Sequence, residues 1–147
     1  MKRIAVILDV SEEGWEQCRD SILAILASKG YVPILLKVFL GGRRSWKHFP
    51  DKQGVVYRDD FSRGRCTSAP AEEFCKETAD ALVCLPSVKG ELPDYLAAHC
   101  SAALKVGRKD VGGRQYDVLV GGGPGEEMSQ LSAFEAALSV LEQMFWV

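Results

Sequence analysis

The first part of the chain alternates between continuous apolar runs and a segment with helical spacing. Residues 3–10 form a run rich in isoleucine and valine, broken near its end by Asp9, which is typical of a strand buried on both faces. Apolar side chains then recur at helical spacing from Trp15 to Leu26, and Gly30 is placed to end that helix. Residues 32–40 are again mostly apolar. Two such strands around an amphipathic helix predict a right-handed βαβ unit with a parallel sheet.

The rest of the chain continues this alternation after an interruption. Residues 41–69 show no clear periodicity, and a connection of this length inside a domain is usually functional or partly mobile. The elements predicted beyond it are a helix at 70–79, a strand at 81–85, a helix at 91–100, strands at 103–106 and 116–120, and a final helix from 126. No helix fits between Gly107 and Tyr116, so the direction of the last strand stays open.

These elements predict an α/β protein. The expected architecture is a three-layer α/β/α sandwich, Rossmann-like or flavodoxin-like, with about five mostly parallel strands in the order 2-1-3-4-5. Residues 1–147 show no internal repeat, low-complexity tract or break in composition. We therefore expect a single α/β domain with a long irregular connection at about 41–69.

Composition and charge exclude several classes of protein. A hydrophobic fraction of 47% and a charged fraction of 26% are near globular averages, which excludes a disordered chain. The formal net charge of −2 provides no overall attraction to nucleic acid or an anionic membrane. The charge is uneven, however, because residues 43–65 carry seven basic and three acidic side chains, whereas residues 66–147 carry six basic and twelve acidic ones.

The cysteines indicate a reducing compartment. Five widely spaced cysteines, an odd number without a Cys-x-x-Cys pair, are typical of reduced thiols in a cytoplasmic protein. With only two histidines to join them, no zinc pattern forms, and we predict no metal and no cofactor. The apolar run after Met1 is too short for an export signal, and none approaches the roughly 20 residues that span a bilayer.

Candidate ligand-binding residues follow the predicted strands. Asp9 ends the first strand, at the position from which functional carboxylates project in many parallel α/β folds. Capping of the first helix is the alternative for Asp9, and Ser11 is a good N-cap there. Ser87 follows the third strand but lacks the glycines of a nucleophile elbow, so we predict no catalytic residue.

Arg108 and the glycine at position 107 lie at the end of the fourth predicted strand. Gly107 is expected to let the chain leave the sheet at a place where a side chain would crowd a neighbour. Arg108 is expected to pair with a carboxylate such as Asp60 or Asp117 and thereby to hold the 41–69 connection against the sheet. A direct contact with an anionic ligand is the alternative role of Arg108.

A glycine loop, Gly121-Gly122-Gly123, lies between the last strand and the last helix. Backbone N–H groups at such a place can hold a phosphate. The spacing does not match the dinucleotide fingerprint, because a G-x-G-x-x-G pattern starting at Gly121 meets Glu126, and no Gly-Lys-Ser/Thr follows. A flexible turn is the competing interpretation.

The segment with Arg43, Arg44, Trp46 and Phe49 mixes cations with aromatic side chains. Trp and Arg dominate protein interfaces, and the same mixture can bind phosphates and stack bases. We interpret it as a candidate interaction loop for a protein partner or a second copy of the chain, with nucleic acid less favoured. A surface loop that folds back on the domain is the competing interpretation.

Four short stretches carry a family resemblance. Asp60-Phe61-Ser62, Asp80-Ala-Leu-Val, Lys105-Val-Gly-Arg108 and Tyr116-Asp117-Val-Leu-Val resemble a family of short bacterial proteins that is known as a domain of unknown function. The resemblance implies a small cytoplasmic α/β protein and supplies no activity. More distantly, the chain is similar to the N-terminal half of heptosyltransferase-type glycosyltransferases, whose nucleotide-sugar site lies chiefly in a second Rossmann-like half for which 147 residues leave no room.

Two functions therefore remain after the sequence analysis. The first is a non-catalytic binding or protein-interaction module. The alternative is a ligand-binding remnant or minimal enzyme related to glycosyltransferase N-terminal domains, which would bind an anionic ligand at the C-terminal edge of the sheet.

Overall fold

A parallel sheet of six strands organises the chain. The computed structural model describes residues 1–88, 90–111, 114–121 and 127–146. Its strands are β1 (Arg3–Asp9), β2 (Val32–Phe39), β3 (Val55–Tyr57), β4 (Phe61–Ser62), β5 (Arg65–Cys66), β6 (Thr78–Cys84), β7 (Ser101–Arg108) and β8 (Val118–Val120). Its helices are α1 (Trp15–Ser28), α2 (Arg43–Lys47), α3 (Ala69–Lys76), α4 (Glu91–His99) and α5 (Gln130–Val140), with a 3₁₀ turn at Arg58–Asp60 and a π-helical turn at Leu141–Phe145.

The strand order of the main sheet is β3-β2-β1-β6-β7-β8, and every neighbouring pair is parallel. Strand β1 lies inside the sheet and is buried on both faces, as its continuous apolar run predicts. Ile4, Val6 and Leu8 pack on the face covered by α1 and α5. Ala5 and Ile7 pack on the opposite face with α3 and α4. The alternation follows from the two-residue period of a strand.

The predicted α/β class with a mostly parallel sheet is confirmed, but the exact strand order differs from the predicted 2-1-3-4-5. The five predicted strands keep that relative order as β2-β1-β6-β7-β8, and the sheet has six strands rather than five. Strand β3 adds a sixth strand outside β2. The last strand, β8, is parallel to β7, which answers the open question about its direction. The layers also differ from the prediction, because β4 and β5 form a separate antiparallel pair.

The connection between β2 and α3 contains several short elements. Helix α2, strand β3, the 3₁₀ turn and the β4–β5 hairpin follow one another through it. The hairpin turns at Arg63 and Gly64, which have φ of 53° and 75°. All three residues of β3 are buried, so this part of the connection belongs to the sheet.

The starts of two helices differ from the sequence-based expectation. The final helix, expected from 126, begins at Gln130. Helix α1 begins at Trp15 after Gly14, whose φ is 79°, so the prediction of Ser11 as its N-cap is wrong. The Ser11 hydroxyl donates to Asp9 instead. Helix α3 is capped by Ser68, whose side chain accepts from a backbone N–H.

Among the described residues, no helix is long and apolar enough to cross a membrane.

Gly107 lies inside β7 against an aromatic ring. A Cβ atom at this position would lie 2.5 Å from Cδ2 of Tyr116, closer than two carbon atoms can approach. The expectation that a side chain at position 107 would crowd a neighbour is therefore confirmed. The absence of a side chain lets the Tyr116 ring lie directly over the strand.

Leu138 tests the packing of α5 on the sheet. Its side chain is 3% exposed in the core shared with α1. We expect Leu138→Ala to lower the free energy of unfolding by on the order of 2–5 kcal/mol, because truncation leaves a cavity. Urea unfolding measures this loss, and the exposed neighbour Glu135→Ala should change stability by less than about 0.5 kcal/mol. Equal values for the two variants would contradict this packing.

Candidate functional site

The topology of the sheet creates a crevice between β1 and β6. From β1 the chain proceeds outward through β2 to β3, then crosses to β6 and proceeds outward on the other side through β7 to β8. Helix α1, after β1, and helix α4, after β6, pack on opposite faces of the sheet. Two such connections diverge beyond the carboxyl ends of the two strands, and ligands of open α/β sheets bind at this switch point.

Gln130, at the start of α5, is bonded to the end of β1. Its side-chain Oε1 accepts from the Asp9 backbone N–H at 2.8 Å, and its Nε2 donates to the Asp9 carbonyl at 3.0 Å. Nε2 also donates to the Glu12 carboxylate at 3.0 Å. Since Gln130 is only 3% exposed, these bonds satisfy a buried amide and fasten α5 to the crevice.

The Asp9 side chain is fully buried. Its Oδ1 accepts from the Ser11 N–H at 2.9 Å, the Ser11 hydroxyl at 2.6 Å and the Leu40 N–H at 3.3 Å. Its Oδ2 has no hydrogen-bond partner within the described part of the chain. Burial raises the pKa of the Asp9 carboxyl, and the hydrogen bonds from Ser11 and Leu40 only partly oppose this. Asp9 thus joins the segments that leave β1 and β2.

A hydrogen bond between Ser87 and Glu12 spans the crevice. The Ser87 hydroxyl, just beyond β6, donates to Glu12 Oε1 at 3.0 Å. The other oxygen of the same carboxylate accepts from Gln130. Glu12 therefore links the segments after β1 and β6 to the start of α5. Ser87 itself is exposed on the rim.

Arg108 is buried with its guanidinium almost fully engaged. Nε and Nη2 donate to the two oxygens of Asp110 at 3.0 and 2.9 Å, a bidentate pair. Nη1 donates to the Leu85 carbonyl at 3.1 Å, and Nη2 also donates to the Met128 carbonyl. The side chain is 2% exposed. Arg108 thus holds together β6, β7 and the segment before α5.

The prediction that Arg108 pairs with Asp60 or Asp117 is wrong. The Asp60 carboxylate accepts from the Tyr57 N–H at 2.9 Å, and the Asp117 carboxylate accepts from the Lys105 N–H at 2.8 Å. The Asp60 carboxylate stabilises the turn after β3, and the Asp117 carboxylate holds the segment before β8 against β7. Asp110, two residues beyond Arg108, reaches the guanidinium instead. The 41–69 connection is therefore not held by Arg108.

These groups surround a crevice of about 630 Å³. Its lining residues are Glu12, Ser87, Arg108, Asp110, Glu127, Met128 and Ser129. Three carboxylates face one guanidinium, which is already paired with one of them. The free hydrogen-bonding capacity of the lining is therefore mainly that of acceptors, and its charge is negative.

The structure brings some of the sequence-predicted residues together. Ser87 and Arg108 line the crevice, and Asp9 contacts it through Gln130, while Ser11 is bonded to Asp9. Gly121, with φ of 100°, follows β8, and a Cβ atom there would lie 3.4 Å from the Met128 side chain. Gly122 and Gly123 lie outside the described residues.

Sequence reasoning missed several residues of the crevice lining, among them Glu12, Asp110 and Ser129, and also Gln130, which is bonded to Glu12. A signal existed for one of them, because Gln130 is a polar residue adjoining the apolar stripe of the last helix. A buried amide at such a place needs hydrogen-bond partners. The other three are polar residues near chain turns, where many surface residues look the same.

The candidate interaction loop divides into a packed part and an exposed part. The Trp46 ring stacks on Tyr57 with centroids 4.8 Å apart, and Phe49 packs edge-on against Phe39 at 5.2 Å. These aromatic side chains adjoin the core. Arg43 and Arg44 are exposed, and Arg43 donates to Asp59 at 3.0 Å.

The fold and the crevice define a class of protein. It is an α/β protein whose parallel sheet has a polar, acidic crevice at the carboxyl ends of its strands. Residues 1–138 match DUF6913, a family of unknown function, and the chain belongs to that family. No curated protein and no solved structure matches the sequence. The predicted membership of a family without an assigned activity is confirmed.

The role of Arg108 can be tested through stability. Arg108→Met keeps much of the apolar stem but leaves Asp110 and two backbone carbonyls without their donors. We expect a loss of on the order of 3 kcal/mol in the free energy of unfolding. The exposed Arg44→Met should change it by less than about 0.5 kcal/mol, measured by the same urea titration. A loss no larger than that of the control would show that the guanidinium is dispensable for folding.

Asp9 gives the unfolding equilibrium a defined pH dependence. When folding raises the pKa of a carboxyl, the protonated form stabilises the folded state. This stabilisation is complete below the unfolded pKa of 3.8 and is lost as the pH rises through the folded pKa. Asp9→Asn cannot ionise, so its stability relative to the parent should rise between about pH 4 and pH 7. Urea unfolding at several pH values measures this change. The exposed Asp20→Asn serves as control, and a relative stability of Asp9→Asn that falls over this range would contradict the raised pKa.

Proposed function

We propose that the chain is a non-catalytic binding module that takes a small polar ligand, neutral or cationic, in the crevice between β1 and β6. The observation that carries this proposal is the lining of the 630 Å³ crevice by carboxylates and hydroxyls at the switch point of the sheet. Pockets with a few convergent polar groups at this place are the usual ligand sites of such folds.

The chemistry of the lining supports a ligand that donates hydrogen bonds. Glu12 lines the crevice and accepts from Ser87 and Gln130, and its carboxylate has lone pairs left for a ligand. Glu127 adds a second carboxylate that is exposed. An amine or a polyol supplies the donors that these acceptors lack. The negative charge of the lining attracts a cation and repels a phosphate.

The state of the possible nucleophiles supports a binding role rather than catalysis. Ser87 donates to the Glu12 carboxylate, which also accepts from Gln130, so this pair is engaged in holding the segments of the crevice together. Cys84 is buried in β6, and burial raises the pKa of its thiol to about 12. A thiol in this condition keeps its proton and is inert near neutral pH.

The alternative is an anion-binding remnant related to glycosyltransferase N-terminal domains. It would use the Gly121–Gly123 loop and Arg108, with Asp9, Ser11 and Ser87 nearby. The parallel sheet with helices on both faces supports a Rossmann-like or flavodoxin-like description. Two observations argue against an anionic ligand: the lining is acidic, and the Arg108 guanidinium is already occupied by hydrogen bonds.

A second surface is proposed for a partner. Arg43 and Arg44 project from α2, while Trp46 and Phe49 hold that helix against the sheet. Exposed guanidinium groups on a rigid base suit an acidic patch of another protein or of a second copy of the chain. This surface is compatible with the crevice ligand, because the two involve different residues.

The proposal extends to the domain organisation and the cellular location of the protein. A single α/β domain is supported by a sheet that takes strands from residue 3 to residue 120. A cytoplasmic location is supported by five cysteines that are all free thiols, whereas a bacterial origin rests on the family resemblance alone.

Amide NMR spectra distinguish the proposed ligand class from the alternative. Titration with a polyamine or a polyol should shift the backbone signals of residues 11, 12, 87 and 110. Glu12→Gln should weaken polyamine binding about tenfold or more, because a charge-assisted hydrogen bond is lost. The matched control is Glu73→Gln, an exposed carboxylate on α3, which should bind like the parent.

Two outcomes would count against the proposal. Shifts caused only by phosphate or a nucleotide, and unchanged in Glu12→Gln, would favour the anion-binding alternative. Shifts caused by the polyamine that Glu12→Gln and Glu73→Gln reduce equally would indicate attraction to the overall charge rather than a site.

A further inference from the structure

A second cavity, away from the crevice, brings two cysteines together. It measures about 420 Å³ and lies against α3 and α4. Its lining residues are Cys66, Cys75, Ala71, Glu72, Lys76, Tyr95 and His99. Both thiols are half-buried and packed against the core of this face. They therefore line the same cavity.

The electrostatic environment also indicates that these thiols are neighbours. Burial and, next, the proximity of Cys66 raise the pKa of the Cys75 thiol, while the Lys105 ammonium opposes this weakly. A third thiol, Cys100, lies behind them, and burial with the proximity of Cys75 raises its pKa to about 11. Cys18 lies apart, against the opposite core.

The elements that carry the two thiols differ in rigidity. Cys75 lies in the last turn of α3, which is capped by Ser68 and packs Ala71 and Phe74 into the core. Cys66 lies in β5, which pairs only with the two residues of β4. Since so short a hairpin is held by few hydrogen bonds, Cys66 can approach Cys75 without disturbing the main sheet.

We propose that Cys66 and Cys75 form a reversible disulfide when the protein meets hydrogen peroxide. The resulting link would fix the β4–β5 hairpin to α3. This inference is independent of the crevice and its ligand. It also agrees with five free thiols in the resting protein.

The chemistry balances in two steps. The Cys66 thiolate attacks one peroxide oxygen, the O–O bond breaks, and the leaving hydroxide takes a proton to become water, which leaves a sulfenic acid on Cys66. The Cys75 sulfur then attacks the Cys66 sulfur, and the hydroxyl leaves as a second water with the Cys75 proton. Together the two thiols lose two electrons, and these reduce one peroxide to two waters. The raised pKa of Cys75 disfavours its thiolate, so Cys66 rather than Cys75 is expected to attack the peroxide first.

Peptide mapping tests this pair directly. The protein is treated with dilute hydrogen peroxide, unfolded in acid and alkylated with N-ethylmaleimide. Trypsin cuts after Arg65 and Lys76, so both cysteines lie in one peptide, residues 66–76. We expect this peptide to be lighter by two hydrogens and unalkylated. Further cleavage after Glu72 and Glu73 should leave its two fragments joined until a reductant is added.

Matched variants complete the test. Cys75→Ser should leave Cys66 as a sulfenic, sulfinic or sulfonic acid, whereas Cys66→Ser should leave Cys75 alkylated as in untreated protein. Cys18→Ser, on the other face, should form the link like the parent. Full alkylation of both cysteines in oxidised parent protein, or a link from Cys75 to Cys100 instead, would overturn the proposal.

Discussion

The buried guanidinium of Arg108 constrains the whole carboxyl edge of the sheet. A charge removed from water must be paired and hydrogen-bonded, and here the partners come from three separate parts of the chain. The Leu85 carbonyl fixes the exit of β6, Asp110 fixes the turn after β7, and the Met128 carbonyl fixes the approach to α5. The crevice has its shape because these segments converge on one side chain.

The fold was predictable where burial leaves a strong pattern. The continuous apolar run of β1 follows from burial on both faces, and the stripe from Leu131 to Leu141 follows from one-sided packing of the last helix. Strand β3 could not be predicted in the same way, because three residues are too few to show a period. The Ser11 cap failed because α1 begins only at Trp15, after Gly14 in the left-handed conformation, so Ser11 lies too far upstream to cap it.

Residues of the candidate site could be predicted only where they lie at the ends of predicted strands. Asp9, Ser87 and Arg108 were found because each lies at or just beyond the end of a predicted strand, and parallel strands bring such residues to one edge. Their partners could not be found, since the bonds of Gln130 to Asp9 and Glu12 join residues 121 and 118 positions apart. The partner of Arg108 was missed for the opposite reason, because it is only two residues away.

The close approach of Gly107 and Tyr116 restricts how this sequence can diverge. No side chain fits at position 107 while the Tyr116 ring covers the strand. The same ring packs against the core of this face, which includes the buried Cys84, so it cannot simply swing away without uncovering buried side chains. A substitution at position 107 therefore becomes tolerable only after the ring at 116 has shrunk. Relatives that carry a side chain at the first position should carry a smaller residue at the second, acquired earlier.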